Sequence, residues 1–211
     1  MENKQGKLYN YGFIIGRFQP LHKGHLHIIE SASKLCNHVV IFIGSSQESH
    51  TLKNPFTYDE RRRFLTSTLS SYALAKKQFI IRPLPDISVG NNEAWGKYVL
   101  NTFIKEFGCL PDLYISGAEK ERSSWFSDDI APAMDELRIS RKGIEISASE
   151  VRECLYSNNP KVFNYLPEAI YTYTEQSWFK NRIAETHDYL GLDAIANKNT
   201  LEDEQEVNYG V

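Results

Sequence analysis

The stretch "YGFIIGRFQPLHKGHLHIIESASKLC", Tyr11 to Cys36, decides the fold. "YGFII" is a short apolar run that stops at Gly16, and "GHLHIIESASKLC" spaces its apolar residues as a helix does, with one proline-containing loop between them. The order is strand, loop, helix. "VVIFI" (Val39 to Ile43) is rich in β-branched residues and closes on Gly44, which suits a strand buried on both faces. "FTYDERRRFLTSTLSSYAL" then opens with Thr57 and Glu60 at capping-box spacing, which predicts a helix start there. Further strands are predicted at "QFIIRPL" and "DLYIS", and a helix between them at "EAWGKYVLNTFIKEF", ending before Gly108. A fifth strand falls at "ELRIS" or "GIEIS". "SASEVRECLYS" reads as a helix, with Ser147 and Glu150 again at capping-box spacing, and one last helix is predicted from about Pro167 towards Gly191.

Strands alternating with helices of this length build βαβ units. The predicted fold is therefore α/β: a doubly wound, Rossmann-like, mostly parallel five-stranded sheet with helices on both faces. Ligands in such sheets bind beyond the carboxyl ends of the strands, where strand order reverses, so the loops after the strands are where chemistry is expected. Residues 1–190 read as one domain. From Leu192 onward the chain carries four carboxylates between Glu202 and Glu206 and little apolar periodicity, so 191–211 is expected to be an acidic, mobile tail.

With 41% apolar and 24% charged residues the chain falls in the ordinary globular class. A net charge of −3 argues against a protein that coats nucleic acid, although that sum would hide a local basic pocket. No segment approaches the length of apolar membrane span and the N-terminus has no apolar signal core, so neither nucleic acid nor membrane is an expected partner. Cys36, Cys109 and Cys154 are odd in number and widely spaced, which fits a reducing, cytoplasmic setting better than a disulfide framework.

The loop after the first strand carries the chemistry. Gly24 lets a ligand approach the exposed amides of the helix start, and those amides with the helix dipole favour an anion. His22 and His25 can donate to phosphate oxygens, and Arg17 offers a planar fork to the same anion. Taken alone, two histidines at this spacing would also suit a surface or a cap; no third metal ligand has fitting local spacing, so no protein metal site is expected. His27 and His38 read as structural or surface residues. Arg61, Arg62 and Arg63 are consecutive on one helix and cannot all face a site, so most of that run reads as a solvated face.

"GRFQPLHKGH" resembles the H-x-G-H signature of the nucleotidyltransferase superfamily, and "ISASEVR" matches its second signature, I-S-x-S-x-x-R. "GSSQESHTLKNPFTYDER" and "PLPDI" look like the archaeal-type nicotinamide mononucleotide adenylyltransferases. The resemblance runs from about Tyr11 to about Ile170. It implies an enzyme of the nucleotidyltransferase class that transfers AMP from ATP to nicotinamide mononucleotide, with nicotinate mononucleotide a possible second acceptor. It also implies Mg²⁺ bound through the substrate phosphates, and a homo-oligomer. By resemblance His22, His25, Arg17 and Arg152 are the catalytic set, and Gly16, Phe18, Gly24, Lys53, Gly117, Ser147 and Ser149 bind ATP. Asp86, Asn92 and Trp95 are placed at the acceptor. For Trp95 the reading from spacing alone, a core aromatic early in an amphipathic helix, stays open beside the acceptor role.

At "SGAEKERSSWF" (Ser116 to Phe126) the chain departs from the archaeal pattern and is more similar to the adenylyltransferase half of bifunctional enzymes that carry a Nudix hydrolase domain. Lys120, Arg122 and Ser123 could meet a nucleotide or form a surface loop. No Nudix pattern follows Ile170, so that second domain is not expected. Two other readings stand beside the first: the same fold acting on phosphopantetheine or flavin mononucleotide, and a nucleotide-binding sensor without catalysis.

Overall fold

The computed structural model describes residues 6–71, 78–87, 91–117, 125–140, 143–144 and 146–187. The acidic segment 191–211, and Lys120, Arg122 and Ser123, lie outside them. Five strands form one parallel sheet: β1 (Tyr9–Gly16), β2 (Cys36–Gly44), β3 (Phe79–Leu84), β4 (Leu113–Gly117) and β5 (Asp135–Ile139), in the spatial order β3-β2-β1-β4-β5. The helices between them are α1 (Lys23–Leu35), α2 (Tyr58–Ser71) and α3 (Asn92–Phe107), followed by α4 (Ala148–Tyr156), α5 (Val162–Tyr165) and α6 (Glu168–Thr174). Strand β5 is the "ELRIS" run.

The pleat divides the core in two. Ile14, Ile41 and Ile115 point to one face and meet α1, α2 and the C-terminal helices through Ile29, Phe64 and Val151. Phe13, Phe42 and Tyr114 point to the other, where α3 covers them with Val99 and Phe103. Strands with both faces covered account for the unbroken apolar run of β2, which is buried from Val39 to Gly44. Because α3 carries the chain from the edge strand β3 back to β4 beside β1, strand order reverses at the β1–β4 boundary. That is where a crevice must open.

Local signals act as expected at several helix ends. At α2 the Thr57 amide donates to the Glu60 carboxylate (2.8 Å) and the Glu60 amide to the Thr57 hydroxyl (3.3 Å), a complete capping box. Ser147 caps α4 by accepting from the Glu150 amide (3.1 Å), but the Glu150 carboxylate accepts from the Tyr165 hydroxyl instead of closing the box. α3 ends on Gly108 in the left-handed region, φ 73°.

The single last helix is corrected. Pro167 is the extended N-cap of α6 rather than its first helical residue, α6 ends at Thr174, and a separate helical run covers 177–187. The break turns Phe179 into the core between Phe56 and Phe64, with ring centroids 4.9 and 6.0 Å away. Aromatic burial outweighs helix continuity there. Among the described residues no helix is long and apolar enough to cross a membrane.

α3 approaches the chain at Trp125 so closely that a Cβ at Gly96 would stand 1.6 Å from the Trp125 carbonyl oxygen. Gly96→Ala is expected to cost at least about 2 kcal/mol through forced backbone displacement, read as a lowered urea midpoint.

Candidate active site

A cleft of about 300 Å³ opens at the strand-order reversal, between the carboxyl ends of β1 and β4. Its walls bring together most of the residues expected from the two signatures: Gly16, Arg17, Phe18, His22 and His25 from the first, Ser147 and Arg152 from the second, with Gly117 at the end of β4. Segments more than 120 residues apart in sequence thus share one cavity, as the hydrogen bond between Arg152 and the Gln19 carbonyl (2.9 Å, 133 residues apart) makes concrete.

His22 is the extended N-cap of α1 and 1% exposed, and its side chain does not cap the helix. Nor does any carboxylate stand in the first turn, so the α1 amides and the positive end of the helix dipole face the cleft uncompensated. The His25 ring stacks on His22 with centroids 3.7 Å apart and leans on Phe18 at 4.8 Å. Phe18 holds φ 51° and buries its ring over Gly16, where a Cβ would come within 2.9 Å of it. Phe18 thus packs against His25 while lining the cleft. Gly24 is buried in the first turn of α1.

Arg152 is 7% exposed and is not a solvated helix residue. Its guanidinium donates to the Gln19 carbonyl and to the Ser149 hydroxyl (3.1 Å). Burial, and after it the charge of Arg17, pull its pKa below the usual arginine value. Among the described residues neither Arg17 nor Arg152 pairs with a carboxylate. Two guanidiniums without counter-ions, two imidazoles and two helix N-termini facing one cavity make an anion site; the chemistry that matches it is a polyphosphate. Ser147 uses one oxygen lone pair to accept from the Glu150 amide, which leaves its proton to donate. Ser149 and the exposed Lys53 line an adjoining cavity that shares Arg152 and also includes Glu153.

The three residues expected at an acceptor do not line this cleft. Asp86 is exposed after β3, with its amide donating to the Gln47 side chain (3.0 Å). Asn91, not Asn92, supplies the side-chain cap of α3, and Asn92 is exposed in the first turn. Trp95 is half-buried against Tyr98 and Trp125 (centroids 5.3 and 6.0 Å), and its indole N–H is buried with no hydrogen-bond partner among the described residues. His38 is structural, stacked on Tyr11 at 4.9 Å. Among the described residues no group of three or more His, Cys, Asp or Glu could hold a metal ion.

Two residues escaped the sequence reading. Gln19 is 1% exposed, and its side-chain amide exchanges two hydrogen bonds with the Phe56 backbone, donating to the carbonyl (2.8 Å) and accepting from the N–H (2.9 Å). A polar residue set between Phe18 and Pro20 was its only signal. Arg62 and Arg63 are exposed as expected, but Arg61 is wholly buried. Helical spacing could have found it, since Arg61 shares a face with Phe64, Leu65 and Thr68.

Known proteins resemble this chain over most of its length. Residues 13–154 match the cytidylyltransferase-like family model. The chain is 35% identical over 153 residues to a nicotinamide-nucleotide adenylyltransferase of Thermococcus kodakarensis, spanning 71% of this chain and 74% of the relative. A protein of the same name from Pyrococcus abyssi is 32% identical over 165 residues, 78% of this chain and 82% of its own length. Among solved structures, a bifunctional NMN adenylyltransferase/ADP-ribose pyrophosphatase from Francisella tularensis, complexed with AMP and a manganese ion, superimposes with a TM-score of 0.70 over 90% of this chain. At 24% identity that likeness speaks for the fold alone, and this chain spans 56% of that protein.

If the cleft is built for a polyphosphate, inorganic tripolyphosphate binds it with an affinity that falls as salt rises. Arg152→Met is expected to weaken that binding at least about tenfold, measured by isothermal titration calorimetry, because a charge-assisted fork is lost.

Proposed function

The chain belongs to the cytidylyltransferase-like family, and from that membership we propose that it transfers AMP from ATP to nicotinamide mononucleotide, forming NAD and pyrophosphate. The observation that carries this reading is the convergence of the α1 and α4 N-termini with His22, His25, Arg17 and Arg152 on one cavity at the strand-order reversal. The acceptor follows from the names of the relatives that share about a third of its sequence.

A phosphate monoester has its second pKa near ~6, so the acceptor phosphate is already largely dianionic at neutral pH and no general base is required. One of its oxygens attacks the α-phosphorus of ATP in line; that P–O bond forms as the bond from the α-phosphorus to the bridging oxygen breaks, and pyrophosphate leaves with the bonding pair. The residues then act by positioning and by neutralising charge. His22 and His25, beside the α1 dipole, donate to phosphate oxygens as negative charge grows. Arg152, held by Gln19 and Ser149, and Arg17 bind the outer phosphates, with the Ser147 and Ser149 hydroxyls and Lys53 beside them. Mg²⁺ is part of the same proposal: brought in with ATP, it would lower the charge of the phosphates that His22, His25, Arg17 and Arg152 hold.

On the other side, Asp86 and Trp95 are assigned to the carboxamide and the nicotinamide ring, with Asn92 nearby. A tryptophan face suits a flat cation. Assembly as a homo-oligomer belongs to the same proposal on the strength of resemblance. A cytoplasmic setting is supported by Cys36, Cys109 and Cys154 all being free thiols.

The decisive experiment is NAD formation from ATP, Mg²⁺ and nicotinamide mononucleotide, coupled to a dehydrogenase, with nicotinate mononucleotide compared by pyrophosphate release. Turnover establishes the reaction and the ratio of the two its pathway branch; ATP binding without turnover on either would favour a sensor or another acceptor. His25→Ala is expected to lower kcat about a hundred-fold or more, the usual cost of one preorganised donor, with the melting temperature little changed. Trp95→Ala should raise the acceptor KM and leave the KM for ATP unaltered; steady-state kinetics with each substrate varied in turn separates the two.

A further inference from the structure

Arg61 stands in the first turns of α2 and is 0% exposed. A guanidinium has five N–H donors. In Arg61 five bonds run from them, all to main-chain carbonyls. Nε donates to Thr57 (3.2 Å), one terminal nitrogen to Arg17 (2.9 Å) and Gly44 (2.8 Å), and the other to Ser45 (3.0 Å) and Glu48 (3.4 Å). These carbonyls belong to the loop after β1, the loop after β2 and the start of α2. A single side chain therefore ties the loop that opens the ATP cradle to the carboxyl end of β2 and the loop that follows it.

On one side, Arg17 opens the loop that leads through Phe18 and Gln19 to His22 and His25. On the other, the clamp fixes Ser45 and Glu48, and between them Gln47 accepts the amide of Asp86 (3.0 Å), the residue assigned to the acceptor. Ser45 holds φ 46°, a left-handed conformation that a non-glycine residue keeps only where its surroundings impose it. The arrangement has an electrostatic cost: burial first, then the nearby Arg17, lowers the Arg61 pKa to about 10. A lysine could keep the charge but offers only three donors, without the planar fork.

We propose that Arg61 is a positioning residue that fixes the loop carrying the ATP cradle against the loop after β2, whose Gln47 holds the acceptor-assigned Asp86, so that nucleophile and α-phosphate meet in line. This rests on the transferase reading above and adds to it the element that joins the two substrate subsites. A residue that merely held the fold together would reduce the folded fraction and leave the folded molecules with normal kinetics. A positioning residue leaves each substrate bound and slows the step that needs both.

The test compares wild type with Arg61→Lys and with Gln47→Ala, whose side chain is exposed and cuts only the link to Asp86. For folded Arg61→Lys, checked by near-ultraviolet circular dichroism, the ATP Kd and both KM values are expected within about threefold of wild type. Its kcat is expected about a hundred-fold lower, the loss that roughly an ångström of misplacement causes. Added guanidinium at millimolar concentration should restore part of kcat to Arg61→Ala, where sodium at equal ionic strength does not. A folded Arg61→Lys with undiminished kcat, or one whose loss lies wholly in KM, overturns the inference. If Arg61→Lys does not fold, Gln47→Ala decides: lowered kcat with an unchanged ATP Kd supports the coupling, and unchanged kcat overturns it. A wild type that turns over neither mononucleotide overturns the transferase reading and this inference with it. An active wild type beside an unimpaired Arg61→Lys overturns the inference alone.

Discussion

The paired hydrogen bonds between the Gln19 side chain and the Phe56 backbone are the constraint on which the site depends. After β1 the chain must leave the sheet, cross the mouth of a cleft and start α1 within a few residues. Its polar groups are then buried without strand or helix partners. A buried amide left unpaired costs roughly 1 to 3 kcal/mol, more than the ~1 kcal/mol a made bond returns, so the pairing specifies one loop conformation chiefly by penalising the others. The Gln19 carbonyl also receives Arg152 from α4. One residue thus holds the first signature, the approach to α2 and the second signature in one frame, and His22 enters α1 from that frame as its N-cap.

Charge is distributed against the grain of the whole chain. The sequence carries a net −3, yet its cleft gathers Arg17, Arg152 and two helix N-termini, with no carboxylate among its described lining residues and Glu150 the one acid in the first turn of α4. Arg61 and Arg152 both have lowered pKa values, with burial the main cause and Arg17 contributing to each. A protein selected for stability alone would neutralise or solvate such groups. Cytidylyltransferase-like chemistry gives the imbalance a purpose, because an incoming polyphosphate supplies the missing negative charge and recovers the electrostatic cost on binding.

Elements set by local chemistry were legible before any coordinates. β1, α1, β2 and the Thr57–Glu60 capping box follow from periodicity and from side chains that reach their own backbone. Elements set by distant partners were not. The break at residues 175–176 exists because Phe179 gains burial between Phe56 and Phe64, which no window of neighbouring residues contains. Arg61 looked like one of three solvated arginines because what distinguishes it is a ring of carbonyls from segments up to 44 residues away. The acceptor group was named by resemblance, but the structure sets it apart from the phosphate cleft, with Trp95 half in the core.

What the sequence by itself determined is a mostly parallel sheet and the family, since alternation of strand and helix periods and two short signature motifs are local patterns that survive without neighbours. What only the tertiary structure decided is the site as a working object. His22 and Arg152 lie 130 residues apart and come to one cavity because the crossover through α3 reverses strand order beside β1. The Gln19 and Arg61 side chains brace the loops around that cavity through hydrogen bonds to main-chain groups. Main-chain amides and carbonyls are the same at every residue, so no sequence pattern marks which of them a buried side chain will find.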